Sequence, residues 1–275
     1  MIISQQRSFE NIVVKHLRHW GYEVEVLPSL ASLRGDVLRG DVVLYDLDEA
    51  FSQPNQEENI EQPLVAQSRV TEIFRYSQEH GPIAPFTIAL STRSVSRTTL
   101  EQLGAIAFLA KPFDMRRLER YLRILQQLLF AEEHILDYQG KRKTRVLVVD
   151  DNEVIVDAIQ QYLMDESAFE VVVARDGLEA VEQYLIWRPE CIVTDLIMPW
   201  MNGYQLMRCL ANSSIGVMPA FVVISALNDL EYPLFQRYRE GQVVVFENKP
   251  FEIEHLLTAI EQALHSAGMT TRPLA

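Results

Sequence analysis

Five polar residues in the second half of the sequence each follow or end a short apolar segment, and together they could accept and bind a phosphoryl group. In chain order they are Asp150, Asp151, Asp195, Ser225 and Lys249. Three carboxylates held close together repel one another and raise one another's pKa unless a cation lies between them. Mg²⁺ is the expected cation, because it takes a few carboxylates and keeps coordination positions open for phosphate oxygens.

Four predicted strands, in segments 145–151, 191–195, 220–225 and 243–250, would have to bring these residues together. Short β-branched runs that end at a polar residue are typical of buried parallel strands, whose carboxyl ends share the ligand-binding edge of an α/β sheet. Asp195 alone would be weak evidence, since Asp often ends a strand to cap the next helix. The four strand ends together favour Asp195 as a nucleophile whose acyl phosphate is held by Mg²⁺, a lysine and a hydroxyl.

Residues 145–267 resemble a receiver domain of two-component signalling, with all five site positions at the spacing of that family. The resemblance implies that Asp195 is the phosphoacceptor and that it binds the metal together with the two acids of the first strand. It also implies phosphoryl contacts from the hydroxyl and the lysine. The metal ligands would be Asp150, Asp151 and Asp195, and the phosphoryl contacts Ser225 and Lys249.

Two further features of this stretch follow from the resemblance. The Lys249–Pro250 bond is expected to be cis, which X–Pro bonds tolerate. Phe246 stands three residues before the lysine, where the family has a rotating aromatic switch. Ordinary packing at the end of a strand explains Phe246 equally well.

The first half of the sequence repeats this pattern incompletely. Asp46, Ser91 and Lys111 end predicted strands and match the phosphoacceptor, hydroxyl and lysine of the second half, so the stretch resembles a second, degenerate receiver domain. The acid pair is missing, because Ser4 and Gln5 stand near its position. Metal binding at Asp46 is therefore expected to be weak, and we expect Asp46 to pair directly with Lys111.

The acids Asp48 and Glu49, which follow Asp46, are compatible with other interpretations of the first half of the sequence. The segment 43–48 resembles the Asp-x-Asp opening of haloacid-dehalogenase-type phosphatases, with Asp46 as nucleophile and Asp48 as acid/base. Asp48 or Glu49 could instead help to rebuild a metal site, if either side chain points inward. A third alternative is a scaffold in which neither domain is phosphorylated.

Composition limits the other functions. The chain has 275 residues and a formal charge of −13, of which residues 144–275 contribute −11 through 19 acids against 8 Lys and Arg. An acidic surface argues against direct nucleic-acid binding. The sequence shows no apolar run of membrane-spanning length and no signal-peptide pattern, so a cytoplasmic protein is expected. Cys191 and Cys209 are expected to be buried thiols.

The sequence therefore predicts an α/β protein of two doubly wound (βα)₅ flavodoxin-like domains, each with a central parallel five-stranded sheet. The expected organisation is a degenerate receiver-like domain at 1–138, a linker at 139–144, a receiver domain at 145–267 and a tail at 268–275. Helical periodicity predicts one helix from about Asp114 beyond Phe130. A polar stretch at 52–63 predicts a loop, residues 21–26 predict a strand and residues 229–238 predict a helix. The first strand of the chain would comprise only residues 1–3, which is expected to be too short to pair well.

The expected function is phosphorelay signal transduction without enzymatic output. A histidine kinase or histidine phosphotransfer protein would phosphorylate Asp195, and the protein would then act through an unidentified protein partner. A segment of a hybrid kinase or larger regulator fits the same pattern, and formation of a homodimer is left open. The implied cofactor is Mg²⁺.

Overall fold

The chain forms two compact units, Met1–Leu129 and Phe130–Ala275, in a computed structural model. The structure describes residues 1–4, 7–27, 41–48, 86–96, 99–100, 103–130, 143–166, 168–213, 218–225, 244–249 and 252–268. The predicted loop at 52–63, most of the predicted linker and Pro250 lie outside these residues. So does the helix expected at 229–238, so these predictions stay predictions.

The first unit is built on a parallel five-stranded sheet. Its strands are ordered β2-β1-β3-β4-β5. The elements are β1 (Ile2–Ile3), α1 (Arg7–His19), β2 (Val26–Leu27), β3 (Val42–Asp46), β4 (Phe86–Ser91), β5 (Ala105–Ala110) and α2 (Met115–Phe130). The three long strands are almost entirely buried, which explains why they appear in the sequence as continuous apolar runs.

Two predictions about the first unit need correction. A strand was expected at 21–26, but β2 comprises only Val26–Leu27, because β1 offers two pairing residues and no more. β1 was expected to be too short to pair well. Instead Ile2 and Ile3 pair on one side with β2 and on the other with β3, and both are buried.

Helix α2 confirms the helix predicted after Asp114. It runs without interruption over Met115–Phe130 and buries six side chains, among them Leu118, Leu125 and Leu128. The spacing of these leucines places them on one face of the helix, which is the physical basis of the prediction. Whether the helix extends beyond Phe130 concerns residues outside the described ranges.

The second unit has the same architecture. Its parallel sheet is ordered β10-β9-β8-β6-β7. The elements are β6 (Thr144–Val149), α3 (Glu153–Asp165), β7 (Phe169–Ala174), α4 (Gly177–Trp187), β8 (Cys191–Asp195), α5 (Gly203–Ala211), β9 (Ala220–Ser225), β10 (Val244–Asn248) and α6 (Ile253–Ser266). Both thiols, Cys191 and Cys209, are fully buried, and burial raises the pKa of each.

The two sheets share one strand order, 2-1-3-4-5 when the strands of each unit are counted along its own chain. This is the flavodoxin-like order, so the predicted fold class is confirmed. In such sheets the ligand site lies at the carboxyl ends of the first and third strands, where the strand order reverses. In these units those pairs are β1 with β3 and β6 with β8. None of the described helices is long and apolar enough to cross a membrane.

Candidate functional site

The carboxyl ends of β6 and β8 bring Asp150 and Asp195 side by side. Val149 pairs with Thr194, and each aspartate is the next residue along its chain. Asp150 and Asp195 are both largely buried, whereas Asp151 is exposed. One oxygen from each of these three carboxylates lies within 4.8 Å of the other two. The structure thus brings together the three acids that the sequence selected as metal ligands.

Lys249 bridges two of the carboxylates. Its Nζ lies 2.8 Å from Asp150 Oδ2 and 3.2 Å from Asp195 Oδ2. The backbone N–H of Lys249 donates to the carbonyl of Ser225 at 2.7 Å, which fixes the lysine beside the end of β9. Although burial alone would lower the pKa of Lys249, its bonds to Asp150 and Asp195 outweigh that effect and raise it.

The protonation of Asp195 reflects a balance of opposing contacts. Burial raises the pKa of this carboxyl, Lys249 lowers it and the neighbouring Asp150 raises it, with a net shift upward. The N–H of Leu196 donates to Asp195 Oδ1 at 2.7 Å. Asp195 therefore has one oxygen oriented by the backbone and one beside the lysine.

Ser225 and Phe246 occupy the places expected of them in the sheet. Ser225 ends β9, is buried and pairs in register with Asn248, the residue before the lysine. The backbone of Phe246 pairs with Val223 of β9, so Phe246 lies in β10, the edge strand of the described sheet. The switch role of Phe246 stays a prediction.

The corresponding site of the first unit is closed by its own side chains. Lys111 Nζ lies 2.6 Å from Asp46 Oδ1 and 3.0 Å from Asp48 Oδ2, so the predicted pairing of Asp46 with Lys111 is confirmed. Ser4 follows β1 as Asp150 follows β6, and its hydroxyl donates to Asp46 Oδ2 at 3.0 Å. The side chains of the lysine and both acids are at most 7% exposed.

Asp48 is the residue that sequence reasoning could not orient, and the structure shows that it points inward. Its Oδ1 accepts hydrogen bonds from the hydroxyl of Ser91 at 2.7 Å and from the N–H and hydroxyl of Thr92 at 2.7 and 3.1 Å. Burial alone would raise the pKa of Asp48, but these bonds and Lys111 together hold it below its usual value. Thr92 was not singled out from the sequence; its place directly after Ser91 was the available signal.

The match to a family model decides the class of the second unit. Residues 146–261 match the model described as "Response regulator receiver domain". The second unit contains a response regulator receiver domain. The first unit has the same fold and a lysine at the matching strand end, which is compatible with tandem receivers. In the first unit the Lys111–Pro112 peptide bond is cis.

Curated relatives and solved structures match part of the chain. Over 107 residues it is 37% identical to "Protein-glutamate methylesterase/protein-glutamine glutaminase 5" of Myxococcus xanthus, covering 38% of this chain and 30% of that protein. Over 120 residues it is 31% identical to "Transcriptional regulatory protein PdtaR" of Mycobacterium tuberculosis, covering 44% and 56% respectively. The response regulator domain of Thermotoga maritima CheB is 28% identical, covering 45% of this chain and 98% of that one, with a TM-score of 0.40. The chain spans at most 60% of the length of the first curated relatives.

Proposed function

We propose that the receiver domain accepts a phosphoryl group on Asp195 from a phosphohistidine protein, either a histidine kinase or a histidine phosphotransfer protein. The observation that carries this proposal is Lys249 lying 3.2 Å from Asp195 Oδ2, with Asp150 and Asp151 beside the same carboxylate. A carboxylate oxygen of Asp195 would attack phosphorus, and the bond from phosphorus to the donor's imidazole nitrogen would break. Lys249 and the Ser225 hydroxyl would contact the transferred phosphoryl oxygens.

The three acids fit a divalent cation by their chemistry. Asp150, Asp151 and Asp195 supply carboxylate oxygens, the ligands that Mg²⁺ prefers, and the exposure of Asp151 leaves room for water and phosphate oxygens. When bound, Mg²⁺ would neutralise charge that develops on the phosphoryl group. Asp150 is held in place for this role by the N–H of Asn152, which donates to its Oδ1 at 2.9 Å.

We propose a signalling role without enzymatic output for the described units, with the signal passed on through protein contacts. The phosphatase alternative in the first unit would need Asp48 to give up a proton to the leaving group. The lowered pKa of Asp48 makes this carboxyl a poor proton donor near neutral pH. In addition, Lys111 forms ion pairs with both Asp46 and Asp48. The first unit is better explained as an interaction module descended from a receiver.

Acetyl phosphate labelling followed by mass mapping tests the proposal. We expect one phosphoryl group per chain, on Asp195, in a reaction that needs Mg²⁺. Asp195→Asn should abolish the labelling, whereas the matched variant Asp46→Asn in the first unit should leave it unchanged. Labelling that persists in Asp195→Asn, or that proceeds undiminished in excess chelator, contradicts the assignment.

A further inference from the structure

The loop that follows Asp195 is held at both ends by close backbone contacts. At its start the N–H of Leu196 donates to the carbonyl of Ile224 at 3.2 Å, and at its end the N–H of Gly203 donates to the carbonyl of Leu196 at 3.2 Å. A Cβ atom on Gly203 would lie 2.5 Å from the carbonyl oxygen of Asp195. Only a residue without a side chain fits there, so the end of the loop lies directly against the backbone of Asp195.

A second contact joins the loop, two residues before its end at Gly203, to another helix. The N–H of Gly177, the first residue of α4, donates to the carbonyl of Met201 at 3.1 Å. A Cβ atom on Gly177 would lie 2.5 Å from that carbonyl oxygen, 2.7 Å from Met201 Cγ and 2.9 Å from Met201 Cβ. Real Cβ contacts are essentially never shorter than 3.0 Å, so either the loop or the helix would have to move.

The absence of a side chain at Gly177 is needed for space and not for backbone conformation. Gly177 has no positive φ, so alanine could adopt its backbone angles and would even favour the helix. Met201, which fills the space, is fully buried. The strain lies instead on the neighbouring Trp200, which holds a positive φ of 72° although it is large and half-exposed. A bulky residue keeps such a conformation only where its surroundings impose it.

We propose that Gly177 is a positioning residue for phosphorylation: by seating Met201, it fixes the loop whose first residue orients the Asp195 carboxylate. The chain of contacts is short. Gly177 holds Met201, the loop closes through Gly203 on Leu196, and the N–H of Leu196 binds Asp195 Oδ1 at 2.7 Å. A shift of the loop at Gly177 would therefore turn the carboxylate away from Lys249 and from the metal ligands. The part that concerns phosphorylation rests on the function proposed above.

The test compares Gly177→Ala with Leu264→Ala. Leu264 is buried near the end of α6, a helix that starts beside the carboxyl ends of the strands and so ends near the opposite edge of the sheet. Its truncation should lower stability without touching the loop. We expect Gly177→Ala to weaken Mg²⁺ binding, measured by calorimetry with Mg²⁺ alone, and to slow acetyl phosphate labelling of Asp195, each by about tenfold or more. Leu264→Ala should change neither by more than about twofold.

Amide hydrogen exchange provides a readout that is independent of phosphorylation. We expect the amides of residues 177, 196 and 203 to exchange faster in Gly177→Ala than in Leu264→Ala. If Gly177→Ala does not fold, the double variant Gly177→Ala/Met201→Gly should fold, because it removes the two side-chain contacts. The 2.5 Å contact to the backbone carbonyl oxygen of residue 201 remains, so the loop must still shift and only part of the protection should return. If Gly177→Ala is labelled on Asp195 at the wild-type rate and its amides also exchange at the wild-type rate, the inference is overturned and the proposed function still stands. A wild-type protein that takes no phosphoryl group overturns the proposed function, and unchanged exchange then overturns the inference as well.

Discussion

Replacing Lys111 with methionine should destabilise the first unit far more than the same change at Lys249 destabilises the receiver domain. Lys111 is the cation within 3.0 Å of both Asp46 and Asp48, whose side chains are 0% and 7% exposed. Its removal would leave two buried carboxylates without that charge. Removing one partner of a buried ion pair costs about 3–5 kcal/mol.

The matched change, Lys249→Met, should cost less. Lys249 is more exposed, with 18% of its side chain accessible, and its longer contact, to Asp195, is 3.2 Å. Water can therefore partly stabilise the charges of Asp150 and Asp195 once the lysine is removed. The loss should be about 1.5–3 kcal/mol, the range for a hydrogen bond to a charged group.

Urea unfolding followed by hydrogen exchange and mass spectrometry measures the two units separately. Peptides that contain β3 and β4 report on the first unit, and those that contain β6 and β8 report on the second. This separation matters because a chain of two units need not unfold in one step. Equal losses for the two variants, or a loss below about 1 kcal/mol for Lys111→Met, would refute the argument that the first site depends on its internal cation.

Three further outcomes are expected. Asp46 should stay unmodified under conditions that phosphorylate Asp195, because its carboxylate is already paired with Lys111. Two phosphates per chain, measured by intact mass, would contradict this. Lys249→Ala should still permit some labelling but uncouple it from the conformational change, seen as a loss of phosphorylation-dependent chemical shifts in NMR spectra. Because the folded pKa of Asp48 is lowered, this group stabilises the first unit above its unfolded pKa of about 3.9, and the contribution is lost as pH falls through the folded value. Removing a donor with Ser91→Ala should raise that folded pKa, so acid unfolding of the first unit, followed by circular dichroism, should begin at a higher pH.

The sequence was most informative where a buried strand ends in a polar residue. Continuous apolar runs locate β8 and β9 at the predicted residues, because a strand covered on both faces has little choice of side chain. The site residues at their ends, Asp195 and Ser225, follow directly. Counting back along the repeated pattern put Ser4 near the position of the missing acid pair. The structure places Ser4 beside Asp46, since a parallel register brings together residues that follow paired strands.

Contacts between distant segments were beyond this kind of reasoning. The inward orientation of Asp48 depends on donors at Ser91 and Thr92, which lie 43 and 44 residues further along the chain. The role of Gly177 depends on how closely Met201 approaches it, and local pattern carries no information on such a distance. The length of β2 was set by its neighbour β1 and not by its own residues.

The buried thiols have a practical consequence for following the receiver domain in solution. Cys191 and Cys209 are the two cysteines of the chain, both are inaccessible, and their raised pKa keeps them protonated. Maleimide reagents react with thiolates at the surface, so the natural protein should remain unlabelled while folded. A cysteine introduced at Ile197, which is 57% exposed two residues after Asp195, would then be the single attachment point for a dye. The emission of that dye could report arrival of a phosphoryl group in real time, with no native cysteine removed.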